Sequence, residues 1–272
     1  MLIESLQNPR VKGAIHLRDR RDRDRDGKFL IEGYREVRRA LDNGWAIEQL
    51  FFAPSLFLGS TEKKLLRDAE AQGALLLETS APVFHKLSYR DRPDGLLAVA
   101  PQRRISLEQL PVVDNPLWVI AEGIEKPGNL GTILRSADAV GATGLIVCDP
   151  QTDLYNPNVV RASVGTLFSV PTVTSSSEET MTWLRAQGCR IVAATPHATE
   201  VCWEAPLTGP VAIAFGTEQL GLSAFWMEAA DLPVKIPMLG SADSLNVAMA
   251  ATVLLYEVMR QRAGSHAKNH RK

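Results

Sequence analysis

At 272 residues, 45 % hydrophobic and with a formal net charge of −1, the chain can build the packed core of one large or two modest domains. No apolar run approaches the roughly 18 residues needed to cross a bilayer. Met1-Leu2-Ile3-Glu4 lacks the charged start and apolar middle of a signal peptide, so a cytoplasmic location is expected. Cys148, Cys189 and Cys202 are too scattered for a disulfide framework or a zinc site and read as small core residues; no metal is expected.

In chain order, the run Arg18-Asp19-Arg20-Arg21-Asp22-Arg23-Asp24-Arg25-Asp26 carries near-cancelling charge and reads as an exposed helix or loop. Residues 28–33 read as a strand and turn, 34–43 as an amphipathic helix stopped by Gly44, and 47–52 as a strand. A helix over 61–71 stops at Gly73, and segments 74–77 and 96–100 complete a small α/β unit. Residues 101–116 mix charges with prolines at 101, 111 and 116 and read as a linker, 106–116 in its narrow sense. Beyond it come a strand at 117–121, a helix at 129–140, a strand at 144–148, a polar loop, a short helix at 157–164, and apolar segments at 167–173, 190–194 and 211–215. Residues 174–180 read as a loop and helix N-cap, and 244–262 as the last helix. Strands alternating with helices predict a parallel sheet covered on both faces.

Three loops follow apolar strands, which is where α/β proteins build sites. They are Pro127-Gly128-Asn129-Leu130-Gly131 running into a helix that carries Arg135, then Phe215-Gly216-Thr217-Glu218, then Ile236-Pro237-Met238 followed by Ser244-Leu245-Asn246. Together they supply backbone amides, one Arg, one Glu, one Ser and two Asn, an inventory suited to a nucleotide-like cofactor and a phosphate. No pair among the 19 glycines has Gly-x-Gly spacing, which excludes a Rossmann loop, and the five His form no ligand spacing. Both chain ends are basic: residues 1–45 hold 11 Lys/Arg against 8 Asp/Glu, and 260–272 hold no acid at all. Such ends can supply phosphate attraction to RNA or simply be solvated.

The motifs Glu125-Lys126-Pro127-Gly128-Asn129-Leu130-Gly131-Thr132-Ile133-Leu134-Arg135, Gly216-Thr217-Glu218-Gln219-Leu220-Gly221 and Ile236-Pro237-Met238-Leu239 with Ser244-Leu245-Asn246 resemble those of the SpoU/TrmH family of RNA 2′-O-ribose methyltransferases, in the SPOUT superfamily. Residues 161–168 and 29–33 also resemble that family, in the subgroup with an N-terminal L30e-like domain. The resemblance implies an α/β fold with a parallel-sheet catalytic domain, a C-terminal trefoil knot, a homodimer, and S-adenosyl-L-methionine as cofactor. The implied division is an L30e-like RNA substrate-binding domain at 1–105, a linker at 106–116, a methyltransferase domain at 117–264 and a basic tail at 265–272.

By the same resemblance Gly216, Ile236 and Leu245 line the cofactor pocket through backbone contacts, with Thr195 beside it. Glycine at 216 would let backbone approach the ligand closely. Arg135 is assigned to catalysis as phosphate binder and proton acceptor; because a guanidinium stays protonated, the anchoring role is the better one. Glu218 is expected to accept hydrogen bonds from Arg135 or nearby amides, while Asn129 and Ser244 fit helix capping as well as catalysis. Asn246 can hold Asn129, the ribose or the phosphate. The expected activity is methylation of 23S rRNA. A tRNA methyltransferase, an antibiotic-resistance rRNA methyltransferase and a non-catalytic RNA-binding protein are the alternatives.

Overall fold

The computed structural model describes residues 2–269. Of the expected basic tail, residues 270–272 and the side chains of 265–269 lie outside the described residues. The chain runs α1 (Pro9–His16), α2 (Arg20–Asp26), β1 (Lys28–Glu32), α3 (Tyr34–Asp42), β2 (Gln49–Phe52), α4 (Glu62–Ala71), β3 (Leu75–Glu78), α5 (Ala81–Leu87) and β4 (Leu96–Pro101). It continues through β5 (Leu117–Glu122), α6 (Pro127–Ala139), β6 (Gly144–Cys148), α7 (Pro157–Ser163), β7 (Thr172–Ser175), α8 (Ser177–Ala186) and β8 (Arg190–Ala194). Last come β9 (Glu200–Val201), β10 (Val211–Phe215), α9 (Ala224–Ala229), β11 (Leu232–Lys235) and α10 (Val247–Asn269).

The chain divides into two compact units, and the division departs from the expected one. The first unit is Met1–Arg103 together with Asp153–Ser169. Its sheet has the order β1-β4-β2-β3, with β4 antiparallel to both neighbours and β2 parallel to β3. Segment 153–169, expected in the second domain, is held here by aromatic packing: Phe29 meets Tyr155 at 4.5 Å and Trp45 meets Phe168 at 5.1 Å between ring centroids. Arg23 anchors the start of that segment. Its Nε and Nη2 donate to Asp153 Oδ2 at 2.8 and 2.6 Å, and Nη1 donates to the Leu17 and Arg18 carbonyls. The Arg/Asp run is therefore not uniformly exposed, because Arg23 is 1 % exposed and commits every nitrogen to a protein acceptor. Losing Asp153 would leave that guanidinium buried and uncompensated.

The second unit is Arg104–Thr152 with Val170–Lys272. Its seven strands are all parallel, in the order β7-β6-β5-β10-β8-β11-β9. Central strands β5, β6 and β10 are buried along their whole length, as near-continuous apolar runs in a covered parallel sheet must be. The expected linker is not loose: Leu107 and Leu110 are buried in this unit's core with Trp118, Ile120 and Trp226. Ser106 and Gln109 close the intervening turn as a capping box. The cysteines are free and buried, and burial pushes the Cys148 thiol up to about 12, as expected of core residues. Helix α10 packs on α6, where Ser136 Oγ and Thr252 Oγ1 lie 2.6 Å apart. Among the described residues no helix is long and apolar enough to cross a membrane, and no cluster of His, Cys, Asp and Glu could hold a metal ion.

Candidate active site

Because all seven strands are parallel, the loops that follow β5, β8, β10 and β11 leave the same edge of the sheet. Those four strands are consecutive neighbours, in the order β5-β10-β8-β11. Thr195, Gly216 and Ile236 therefore sit at three adjacent strand ends, and Thr195 N donates to Val234 O at 3.0 Å. Leu245 lies just before α10 and is half-buried, as are Thr195 and Ile236.

Gly216 is glycine for a reason nearer than a ligand. Residues 217–221 fold back on themselves, Thr217 N bonding Gly221 O at 2.9 Å and Gly221 N bonding Thr217 O at 3.0 Å. A Cβ at 216 would lie 2.1 Å from Gly221 O and 2.3 Å from Leu222 N, both backbone atoms that cannot swing away. The hairpin therefore requires glycine at 216 by itself, whatever the backbone there faces. Buried Glu122, which ends β5, holds the far side of that hairpin by accepting from Ser223 N at 2.9 Å.

The hairpin presents Glu218, which is the hub of the site. Its Oε2 pairs with Lys126 Nζ, and its Oε1 accepts from Asn129 Nδ2 and, at 3.3 Å, from Asn246 Nδ2. Asn246 Nδ2 also lies 3.4 Å from Asn129 Oδ1, so the two amides and the carboxylate close a triangle. Asn246 is oriented by a second job: its Oδ1 caps α10, accepting from Ala248 N at 3.0 Å. The capping weighed for Ser244 thus belongs to Asn246, and exposed Ser244 makes no hydrogen bond with a described residue. Asn129 sits in the first turn of α6, whose N-cap position is Lys126.

Arg135 stands apart from this hub. It is exposed on α6, about 9 Å along the axis from Asn129 at 1.5 Å per residue. Its guanidinium makes no hydrogen bond or ion pair with a described residue. Of the two partners expected for Glu218, the amides are the ones found: Lys126 and the two asparagines fill the carboxylate, and no Arg135 bond to it exists among the described residues. Gly128, Thr132 and Arg135 follow at i, i+4 and i+7 on the exposed side of the helix, with Thr132 Oγ1 donating to Gly128 O at 2.7 Å. Sequence reasoning quoted Lys126 within its motif but gave it no role; its only signal was a charge complementary to Glu218.

Irregular segment 236–246 supplies the remaining chemistry. Apart from Pro237, which has none, the N–H groups of 236–245 form no hydrogen bond with a described residue, although 236–238 and 245 are half-buried. Half-buried donors of this kind need a partner from solvent or ligand.

A seven-stranded parallel sheet with this set of loops at one edge defines the class, and comparison with known proteins gives the family. Residues 116–256 match the SpoU rRNA Methylase family and residues 8–98 match the MRM3-like substrate binding domain. The 23S rRNA (uridine(2479)-2′-O)-methyltransferase of Streptomyces viridochromogenes is 37 % identical over 90 % of this chain and 87 % of its own length. A crystal structure of an RNA 2′-O ribose methyltransferase is 46 % identical and superposes with a TM-score of 0.85, covering 97 % of this chain and 100 % of that one. The AdoMet-bound rRNA methyltransferase from Sinorhizobium meliloti is 32 % identical with a TM-score of 0.88, over 96 % and 98 % of the two chains. The chain belongs to the SpoU rRNA methylase family, and with it to the SPOUT methyltransferases.

Proposed function

We propose that this protein transfers a methyl group from S-adenosyl-L-methionine to a ribose 2′-oxygen of 23S rRNA in the cytoplasm. One observation carries the reading: a closed hydrogen-bonded hub of Glu218, Lys126, Asn129 and Asn246 at the edge of a parallel sheet, with the unpaired guanidinium of Arg135 on the same helix as Asn129. The strand-end residues fit the cofactor. Unpaired N–H groups of 236–245 suit the hydrogen-bonding edges of an adenosine, and half-buried Ile236, Met238 and Leu245 suit its apolar faces. When bound, the cofactor supplies an electrophilic methyl on a sulfonium.

The chain's own residues then position and polarise. Arg135 anchors a phosphate of the RNA with its planar fork, which places the neighbouring ribose. Glu218 and Asn246 fix Asn129, whose second amide N–H is not used in the hub and holds the 2′-hydroxyl in line with the methyl, the hydroxyl proton being released to water. Orientation of this kind supplies a large share of the rate in bimolecular transfers. Ser244, with no hydrogen-bond partner among the described residues, is available to the RNA. The first unit docks the substrate, consistent with its match to a substrate-binding domain.

The active form is a homodimer in this reading, and the C-terminal part of the second unit is a trefoil knot. Support for the dimer is an exposed apolar stripe on α10: Met249, Val253 and Tyr256, spaced i, i+4 and i+7, are 61, 42 and 45 % exposed, and Met259 extends it. A second copy covers that stripe.

The test uses labelled S-adenosyl-L-methionine and 23S rRNA followed by alkaline hydrolysis. A methylated 2′-oxygen cannot attack the adjacent phosphate, so label should appear in an alkali-resistant dinucleotide. Label in mononucleotides would mean base methylation and overturn the reading; no transfer at all would favour a binding protein.

A further inference from the structure

Outside the methyl-transfer loops, the first unit braces one surface loop with two buried carboxylates, Glu32 and Glu36. The loop follows α5 and reads Ser88-Tyr89-Arg90-Asp91-Arg92-Pro93-Asp94. Glu32, 8 % exposed at the end of β1, accepts from Ser88 Oγ at 2.5 Å and from Tyr89 N at 2.7 Å. Arg90 Nη2 donates to Glu32 O at 2.7 Å and to buried Glu36 at 2.6 Å, while Arg18 Nη2 donates to the carbonyls of Lys86 and Ser88. Asp94 Oδ2 accepts from Tyr34 N at 2.7 Å. Gly33 has φ +111°, and a Cβ there would meet Glu36 Oε2 at 2.5 Å and Arg90 Nη1 at 2.7 Å. The strand-and-turn motif 29–33 therefore ends in two residues that serve this loop. Burying carboxylates is costly unless they are well bonded. Such bracing of a surface loop points to what the loop displays.

It displays Tyr89, a residue 41 % exposed, whose backbone is pinned and whose hydroxyl accepts from Asn158 Nδ2 at 3.3 Å on α7. Two exposed arginines stand on the elements that hold it. Arg92 is three residues further along the loop, and Arg161 is one helical turn beyond Asn158 on the same side of α7. Both are exposed and neither makes a hydrogen bond or ion pair with a described residue. An exposed aromatic on a pinned backbone, with uncommitted cations on the same loop and on the helix that bonds its hydroxyl, is the chemistry that takes an unpaired nucleotide, with the base on the ring and phosphates on the cations.

Building on the RNA reading above, we propose that Tyr89 stacks an unpaired base of the substrate RNA while Arg92 and Arg161 hold flanking phosphates. The site selects looped over fully paired RNA, since a base inside a duplex offers no free face.

The test uses the full-length protein with two RNA probes, a stem-loop and a fully paired duplex of the same composition. Tyr89→Ala should weaken stem-loop binding by roughly ten-fold or more and leave duplex binding within about two-fold. Tyr89→Phe keeps the ring and should bind the stem-loop like the parent. Arg92→Gln with Arg161→Gln should lower the salt slope of stem-loop binding by about 0.7 per phosphate lost. Unchanged stem-loop affinity in Tyr89→Ala overturns the proposal while leaving methyl transfer intact. If Tyr89→Ala unfolds, an unchanged salt slope in the double Arg variant overturns it instead. A parent protein that neither binds nor methylates RNA would bring down the functional reading, and this inference with it.

Discussion

Glu218→Gln tests the hub directly. The substitution keeps shape and one acceptor oxygen but removes the charge and turns the other oxygen into a donor. The ion pair with Lys126 contributes little to stability, since Lys126 is 68 % exposed and surface pairs are worth about 0–1 kcal/mol. The bonds from Asn129 and Asn246 end on a carboxylate that is 25 % exposed, and bonds to charged groups contribute about 1.5–3 kcal/mol each. Gln can keep one of them, so the loss of folding stability should be about 1.5–3 kcal/mol. The catalytic loss should be larger. A displacement of about 1 Å in a positioning group costs on the order of 10²-fold in rate, and releasing one asparagine permits such a shift. Urea unfolding, S-adenosyl-L-methionine titration and single-turnover methylation of 23S rRNA together read these quantities. Turnover should fall 10- to 100-fold by this estimate with cofactor affinity nearly unchanged, whereas Lys126→Met should cost only a few-fold. Turnover near the parent's, or a loss of cofactor binding equal to the loss of rate, would refute the hub as a substrate-positioning device.

Arg135→Ala should leave stability and cofactor affinity intact yet cut turnover by about 10²-fold or more, and Arg135→Lys should rescue little; RNA methylation assays beside cofactor titration separate these outcomes. Gly216→Ala should displace the 217–221 hairpin, since its Cβ would lie 2.1 Å from Gly221 O; a stability loss of about 1–3 kcal/mol with weakened cofactor binding is expected by urea unfolding and calorimetry. Burial pushes the Glu36 carboxyl above its ordinary 4.5, against the pull of Arg90, so the folded chain holds that proton longer than the unfolded one. Stability should therefore fall as pH rises from about 4.5 through the raised folded value, and Glu36→Gln should flatten that slope in urea melts across the window. Met249→Lys with Tyr256→Lys should yield a folded monomer by analytical ultracentrifugation, and a retained dimer would remove α10 from the interface.

How much of this was legible beforehand depended on whether the signal was local. The loops at 127–131, 216–218 and 236–246 were readable because Gly, Pro and amides interrupt apolar runs where strands end. Capping box Ser176 to Glu179 was readable for the same reason. The strand before 236 was implied by its loop but given no bounds, because Pro233 weakens β11 as a strand, yet it pairs with both β8 and β9. Helix α1 escaped notice despite its signal, Asn8 capping the Arg10 N–H with Pro9 in the first turn. The placement of 153–169 could not be read from chain continuity. It is decided by contacts far apart in sequence, Tyr155 on Phe29 and Asp153 on Arg23.

The candidate site shows the same limit in its wiring: of the two kinds of partner expected for Glu218, Arg135 or nearby amides, the fold supplies the amides. Complementary charge alone favours Arg135, and only the fold shows that Lys126, Asn129 and Asn246 reach the carboxylate first. That difference bears on chemistry. A guanidinium clamped by Glu218 would be largely neutralised and would compete poorly for a phosphate. With Glu218 saturated by other donors, Arg135 keeps its full charge and its five donors in reach of solvent. The hub thus orders the amides and, by occupying the only carboxylate among the proposed catalytic residues, leaves the one proposed catalytic Arg uncommitted for the RNA backbone.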